Sequence, residues 1–401
     1  ELLFRRLHLK KMGYTKKAHK LMVDKKVLTE TYKLTGSRRK KKLIKNMLLF
    51  LSNSKLAIQC FGGKFKHKSI EFLKVPFPGN KALSLLHNWI NPLGAKTGRR
   101  SGGGTDLEIS HGGGNSQNWS PKIRPIIVSR WHGCGGKIAS HDYSSLEPLI
   151  MAWKIGIGTK RDSKLLYYFD GGGGYVALAK DLLGLTVKKG TPEYKMIKSI
   201  YLGLGYNMND WKLAHDLWFK VGMRLSEDWD EHQHQTKKIR KKYIKMFPEV
   251  KEYHRQQNKE VEKNQQVVGE LGMIRRLPHL GVDMEGYKHR QNQGINFPMQ
   301  YLASLVTGSA MVDYEAALLK EHHLSYVDWH EALLVDPYNL PCSPIINEVH
   351  DELNQDMHPK TGKKDMEILR TAMIEVPTLR KMIPEFKLTL RVVTHVGEAW
   401  T

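Results

Sequence analysis

The sequence predicts an α+β protein in which a small sheet carries two acidic strand tips and a separate helical lobe closes over them. Three observations lead there. The segment Ile345-Ile346-Asn347-Glu348-Val349-His350-Asp351-Glu352-Leu353 reads as a short apolar strand ending on an acidic tip, with a second strand returning from Leu353. Far upstream, the stretch from Gly136 to Tyr143 likewise ends a strand on an aspartate, Asp142. Between the two tips, from about 150 to 270, helical patterns dominate.

At 401 residues and 40% hydrophobic content the chain is long enough for two or three subdomains with real cores. Its formal charge of +24 and pI near 9.7 call for an extended polyanion. Nucleic acid fits better than a membrane surface, because no uninterrupted apolar run long enough to span a bilayer is read. Cys60, Cys134 and Cys342 are scattered, which fits a reducing compartment and gives no zinc-binding spacing. No signal peptide is read, and the chain opens at Glu1, so a leader or a further domain upstream stays open.

In chain order, residues 1 to about 90 are lysine-rich and mostly helical in pattern, densest in charge at Ser37-Arg38-Arg39-Lys40-Lys41-Lys42. Residues 91–121 hold glycine-rich loops, and strands are expected at 123–128 and 137–142. The helical stretch includes an amphipathic basic segment from Thr236 to Met246. The return segment, 271–401, brings an apolar-periodic helix at about 297–320, with Asn296 as its cap and Pro298 in its first turn. The hairpin bearing Asp351 follows. There is no internal repeat.

Two strand-end aspartates in a basic chain point to a two-metal phosphoryl-transfer centre. Two Mg²⁺ ions roughly 3.5–4 Å apart can activate a 3′-hydroxyl and neutralise a leaving pyrophosphate. Magnesium needs only one or two carboxylates beside phosphates and water, so Asp142 and Asp351 suffice, with Glu352 as an assisting carboxylate. Lys195, Lys198, Leu202 and Tyr206 recur at helical spacing, with cations toward one end for a triphosphate and apolar surface toward the other for a base. Arg99 and Arg100 suit backbone phosphates, and Gln117 and Asn118 suit minor-groove acceptors. Arg275, Arg276, Asn296 and Gln300 form a further basic and polar group. Taken singly these are a turn aspartate, a surface helix and basic loops; their order carries the argument.

In that order the segments resemble the A-family DNA polymerases, the group containing bacterial DNA polymerase I and many phage replicative enzymes. Thr97-Gly98-Arg99 with Gln117-Asn118 resembles the TGR…QN segment, and Asp142-Tyr143-Ser144-Ser145-Leu146-Glu147 the DYSxxE motif. Lys198 through Tyr206 resembles the fingers helix in its phage-like K…LxLGY form. Asn296 to Gln300 and Val349-His350-Asp351-Glu352 resemble the last two segments.

The resemblance implies a right hand: thumb at 1–92, palm at 93–157 and 270–401, fingers at 158–269. It implies a template-directed DNA polymerase that extends a primer 3′-OH with dNTPs, using two Mg²⁺ ions with Mn²⁺ able to substitute. Asp142 and Asp351 would bind the metals, and Lys198 the triphosphate. Tyr206 would shape the base-pair pocket, and Leu202 would touch the nucleotide. Glu147 would crowd a ribose 2′-hydroxyl, which argues against the alternative of a single-subunit RNA polymerase. His350 would sit near the primer end. Residues 1–92 are too short for a proofreading nuclease and suit a duplex-gripping thumb.

Three departures stand out. Tyr194 occupies the place of a family arginine, with Lys195 beside it as a substitute that lacks a bidentate grip. Asn292 replaces another arginine, with Arg290 nearby, and Pro148 follows Glu147. The first keeps a non-catalytic nucleic-acid-binding subunit in view as the other alternative. Primer-template DNA and dNTPs are the expected partners, with processivity or replisome proteins as candidates. A monomer in a cytoplasm is expected, that of a bacterial host if viral, with an organelle also open.

Overall fold

The computed structural model describes residues 28, 37–61, 74–76, 84–86, 90–91, 94–102, 116–160, 163–171, 173–278, 281–336 and 339–400, and the structural features given below lie within them. Most of the segment expected as a thumb, and the glycine runs at 103–104 and 112–114, fall outside. Helix α1 (Arg38–Phe61) carries the basic run at its start. Short ladders follow, β1 (Lys74–Pro76) with β2 (Ser84–Leu86) and β3 (Ile90–Asn91) with β4 (Ser101–Gly102).

Strand β5 (Lys137–Tyr143) then enters the main sheet and turns at once into α2 (Leu146–Thr159). The helical stretch continues through α3 (Lys164–Phe169), α4 (Gly174–Leu183), α5 (Pro192–Gly205) and α6 (Asp210–His215). Helix α6 runs into a π-helical segment, Asp216–Val221, before α7 (Trp229–Met246) and α8 (Pro248–Asn264). Local chemistry sets these starts. Thr191 caps α5 by accepting from the Tyr194 amide at 3.3 Å, with Pro192 in the first turn. Asp228 caps α7 through the Glu231 amide at 2.8 Å.

The hairpin β6 (Gln266–Val268) and β7 (Ile274–Arg276) leads to the long α9 (Met284–Glu321) and then α10 (Tyr326–Val335). The chain closes with β8 (Ile345–Val349), β9 (Glu352–Met357), α11 (Gly362–Glu375), α12 (Pro377–Met382) and β10 (Val392–Gly397). The main sheet is antiparallel in the order β10-β5-β9-β8, so the two predicted tip strands lie next to each other. One large core gathers Tyr143, Leu353, α2, the middle of α9 and α11. A smaller cluster of Trp119, Ile123, Ile138, Val349 and Trp400 forms a second core around the same strands.

Two expectations are corrected. Residues 123–128 form no strand: Arg124–Ile126 is a 3₁₀ turn, helped by Pro125, and Val128 makes a single bridge to Ala399. The long helix begins at Met284, capped by Asp283 on the Gly286 amide at 2.8 Å, so Asn296 is no cap and Pro298 lies inside it. An interior proline costs about 3 kcal/mol. Burial of Ile295, Phe297, Met299 and Leu302 around it, at about 1.5–3 kcal/mol each, outweighs that. Helix α9 is also long and apolar enough to cross a membrane by length and composition, although Gln300, Ser304 and Thr307 interrupt its apolar run. Here it is the central core helix, packed on α2, α8, α11 and α12.

Candidate active site

The chemistry of the site starts from two short connections. Strand β5 ends in a turn where Ser145 takes φ of 61°, and the β8–β9 hairpin turns through His350, also at φ 61°. Left-handed backbone at a non-glycine residue is costly and persists only where its surroundings impose it. Both turns place an acidic tip at the same end of the sheet's strands. Asp142 pairs in register with Glu352, and the Tyr143 amide donates to the Asp351 carbonyl at 3.3 Å. The two aspartates are thereby neighbours, although 209 residues apart in sequence.

They line a cleft of about 830 Å³. Asp351 is pushed up from 3.8 to about 6, first by burial and then by the charge of Asp142. Asp142 is raised too, by burial and then by Glu352, while Lys189, Lys198 and His395 oppose the rise. Two carboxylates that repel each other at the floor of a cationic cleft fit a divalent cation, which would relieve the repulsion. Among the described residues no group of three or more His, Cys, Asp or Glu stands ready as a metal cage. A cation held there would meet that pair, a small donor set that would leave room for further oxygens and water.

The sign of the Asp351 shift has a measurable consequence. Between about pH 4 and 6 the folded, metal-free protein binds more protons than the unfolded chain, so its stability falls as pH rises through that window. Asp351→Asn removes the penalty. With metal chelated, the variant is expected to match the wild type at pH 4 and to exceed it by about 2–3 kcal/mol at pH 7, read from urea unfolding.

The second wall comes from α5. Tyr194, Lys198 and Leu202 line the cleft at successive four-residue steps. Tyr206, at the C-cap, donates its hydroxyl to Glu147 at the start of α2, and burial, then the Glu147 carboxylate, hold that phenol strongly protonated. This bond joins α5 to the turn after Asp142. Gly205 lets the helix pass so close to Met151 that a Cβ would collide with its sulfur. Lys195 is exposed and outside the cleft lining, so the wall residue is Tyr194, packed edge-on against Tyr175 at 5.5 Å. Helical geometry explains the correction: 194, 198 and 202 share a face that 195 leaves by 100°.

The third side is the loop from Gly94 to Gly102. Gly98, at φ 76°, meets the ring of Tyr301, which also covers Gly269 and stacks on Phe297 at 5.6 Å. Arg99 lines the cleft. Arg100 does too, but its guanidinium pairs with the buried Glu348 and bonds the Thr307 hydroxyl at 2.5 Å and the Ser304 carbonyl at 3.3 Å. The expected phosphate ligand is thus engaged internally. Gln117 holds the same loop, accepting from the Gly102 amide at 3.0 Å and donating to the Arg100 carbonyl at 3.3 Å. Asn118, on the same turn, is exposed and off the cleft wall.

His350 is exposed and faces the cleft. Glu352 does not line it: its Oε1 accepts from Asn354 Nδ2 at 2.6 Å and Trp400 Nε1 at 3.0 Å, which leaves it an electrostatic neighbour of Asp142. Arg275 donates to the Lys96 carbonyl and Arg276 is exposed beside it, both outside the lining. Asn296 and Gln300 are half-buried on α9, and Asn296 Oδ1 is a buried acceptor without a hydrogen-bond partner among the described residues. Sequence reasoning missed Lys189, Arg391 and His395, which also line the cleft. Lys188-Lys189 before the Thr191 cap was a readable cationic pair. Arg391 and His395 come with β10, whose pairing to β5 no local signal announced.

Comparisons with known proteins follow the same lines. The model of DNA polymerase family A matches residues 1–401. The DNA polymerase of Bacillus phage SP01 is 26% identical over 271 residues, which is 62% of this chain and 28% of the phage protein. The solved POL domain of Pol1 from M. smegmatis, in complex with DNA primer-template and dNTP, matches with a TM-score of 0.71 at 21% identity. That match covers 100% of this chain and 59% of the other, and at such identity the likeness is one of fold. The chain thus spans less than two thirds of the length of either relative.

Proposed function

This chain belongs to DNA polymerase family A, and from that premise we propose that it is the polymerase unit of a template-directed DNA polymerase extending a primer 3′-OH with dNTPs. One observation carries the reading: two mutually repelling aspartates on adjacent strand ends, facing a helix wall that offers Lys198 and Leu202 across the same cleft. The division into thumb at 1–92, palm at 93–157 and 270–401, and fingers at 158–269 is part of the proposal.

Asp142 and Asp351 would hold two Mg²⁺ ions, or Mn²⁺ in their place, and the metals would supply charge neutralisation and a more acidic attacking hydroxyl. The chain's own residues do the rest. Lys198, helped by Lys189, binds the triphosphate oxygens as point charges. Leu202 and Tyr206 form an apolar edge against the nascent base pair. Arg99 and His350 orient the primer end from the opposite side. Closing α5 over the substrate excludes water and tests base-pair shape before chemistry.

The test is Mg²⁺-dependent extension of a primed DNA template with dNTPs. Templated extension is expected; tight DNA binding without extension in either Mg²⁺ or Mn²⁺ would leave a binding subunit instead. Glu147, tethered by Tyr206, is proposed to crowd a ribose 2′-hydroxyl. Glu147→Ala is therefore expected to raise rNTP relative to dNTP incorporation by about 10–200-fold, the range over which pocket size discriminates. Competing single-nucleotide insertions read the ratio.

A further inference from the structure

The basic segment at the end of α7 is unexplained by the cleft. From Lys237 to Lys245 it holds five lysines and Arg240. The inner face is accounted for: His232, Thr236 and Tyr243 are buried, and His232 Nε2 bonds the Ala214 carbonyl at 2.9 Å. Arg240 pairs with Asp210 at 2.8 Å, and Lys242 donates to the Leu182 carbonyl at 2.7 Å. Lys237, Lys238, Lys241 and Lys245 remain, all exposed and without an ion pair among the described residues. Lys237, Lys241 and Lys245 succeed one another at four-residue steps, where like charges repel. Only Lys245 has the helix C-terminus as compensation. The fold keeps an arrangement that works against its own stability.

The strip connects to the cleft. Lys242 docks on the end of α4, whose other end, at Gly174, Tyr175 and Val176, lines the cleft. From Gly174 to Leu182 the helix rises about 12 Å. The following loop returns Lys188 and Lys189, and Lys189 lines the cleft again. Cations therefore run from the nucleotide wall to the outer surface of the same helical lobe. We propose that Lys237, Lys238, Lys241 and Lys245 form a second, sequence-independent phosphate-binding strip for template DNA ahead of the cleft. The assignment of strand rests on the polymerase reading: the primer side lies toward Arg99 and His350, so DNA reaching the Lys198 side is uncopied template. Each phosphate met by a lysine releases counterions, so the contact is strongly salt-dependent and blind to sequence.

The test compares wild type with the K237Q/K238Q/K241Q/K245Q variant on primed templates with short and long 5′ overhangs, by fluorescence anisotropy across a salt series. On the long overhang the variant is expected to bind roughly tenfold or more weakly at low salt, with a log-log salt slope shallower by about 0.7 per lysine removed, the single-strand value. On the short overhang, binding and single-nucleotide extension are expected to be unchanged, which also certifies the fold. The fourfold Lys→Arg variant should bind like wild type. Equal loss on both templates, or loss on neither, would overturn the proposal. Should wild type bind both DNAs and extend neither, the polymerase reading fails, and the overhang comparison still decides whether the strip binds DNA.

Discussion

Asp351→Ala and Asp142→Ala are each expected to lower templated extension by at least about 10²–10³-fold, the scale set by removing one electrostatic stabiliser from a closed site. The reason is structural economy. Among the described residues the cleft offers no larger cluster of metal-ligating side chains, and Glu352 is held off the lining by Asn354 and Trp400. Neither aspartate therefore has a stand-in. DNA binding should persist, because the cationic walls remain. The Asp142 change should also lower the Asp351 pKa from about 6, since the Asp142 charge is the second cause of its rise after burial. NMR titration of the Asp351 carboxyl separates that effect from loss of fold. Undiminished extension in either variant would sink the site assignment.

Glu348→Ala is expected to destabilise the protein by about 3–5 kcal/mol, the cost of breaking a buried ion pair and stranding one partner. Glu348 is buried on β8 and Arg100 is nearly so, lying against Gly308 where a Cβ would come within 2.7 Å of its Nη1. The pair clamps the loop of Arg99 to α9 and to the strand that ends at the His350-Asp351 turn. Glu348→Gln keeps an acceptor and should cost less. Arg100→Leu with Glu348→Leu should recover most of the loss, since a buried pair replaced by apolar groups is often neutral. Urea unfolding of the three variants reads the order. A cost below 1 kcal/mol for Glu348→Ala would mean that the pair is solvated rather than buried.

Arg100 also shows where sequence reasoning stops. In sequence, Arg99 and Arg100 are twins in a basic loop, and both suit phosphates. Only the approach of β8 and α9 distinguishes them, because it gives Arg100 four acceptor atoms on Glu348, Thr307 and Ser304. Lys195 and Lys198 fit one helix face by their three-residue spacing, yet the packing of α5 brings only Lys198 to the cleft. Pro298 misled for a related reason. Locally Pro298 suits the first turn of a helix, but burial of Ile295, Phe297, Met299 and Leu302 around it carries the helix through.

The sequence by itself determined the acidic strand tips at Asp142 and Asp351, the helical lobe between them, the positive charge and the motif order of DNA polymerase family A. These are local or compositional properties: strand patterning, turn chemistry and net charge need no knowledge of distant neighbours. The tertiary structure decided that β5 lies between β9 and β10, that the two tips repel across one cleft, and that Arg391 and His395 join it from the chain's last strand. It also decided which cations line the cleft and which are held internally. Those outcomes depend on contacts between residues hundreds of positions apart, where the free energy comes from burial and charge pairing rather than from any local preference.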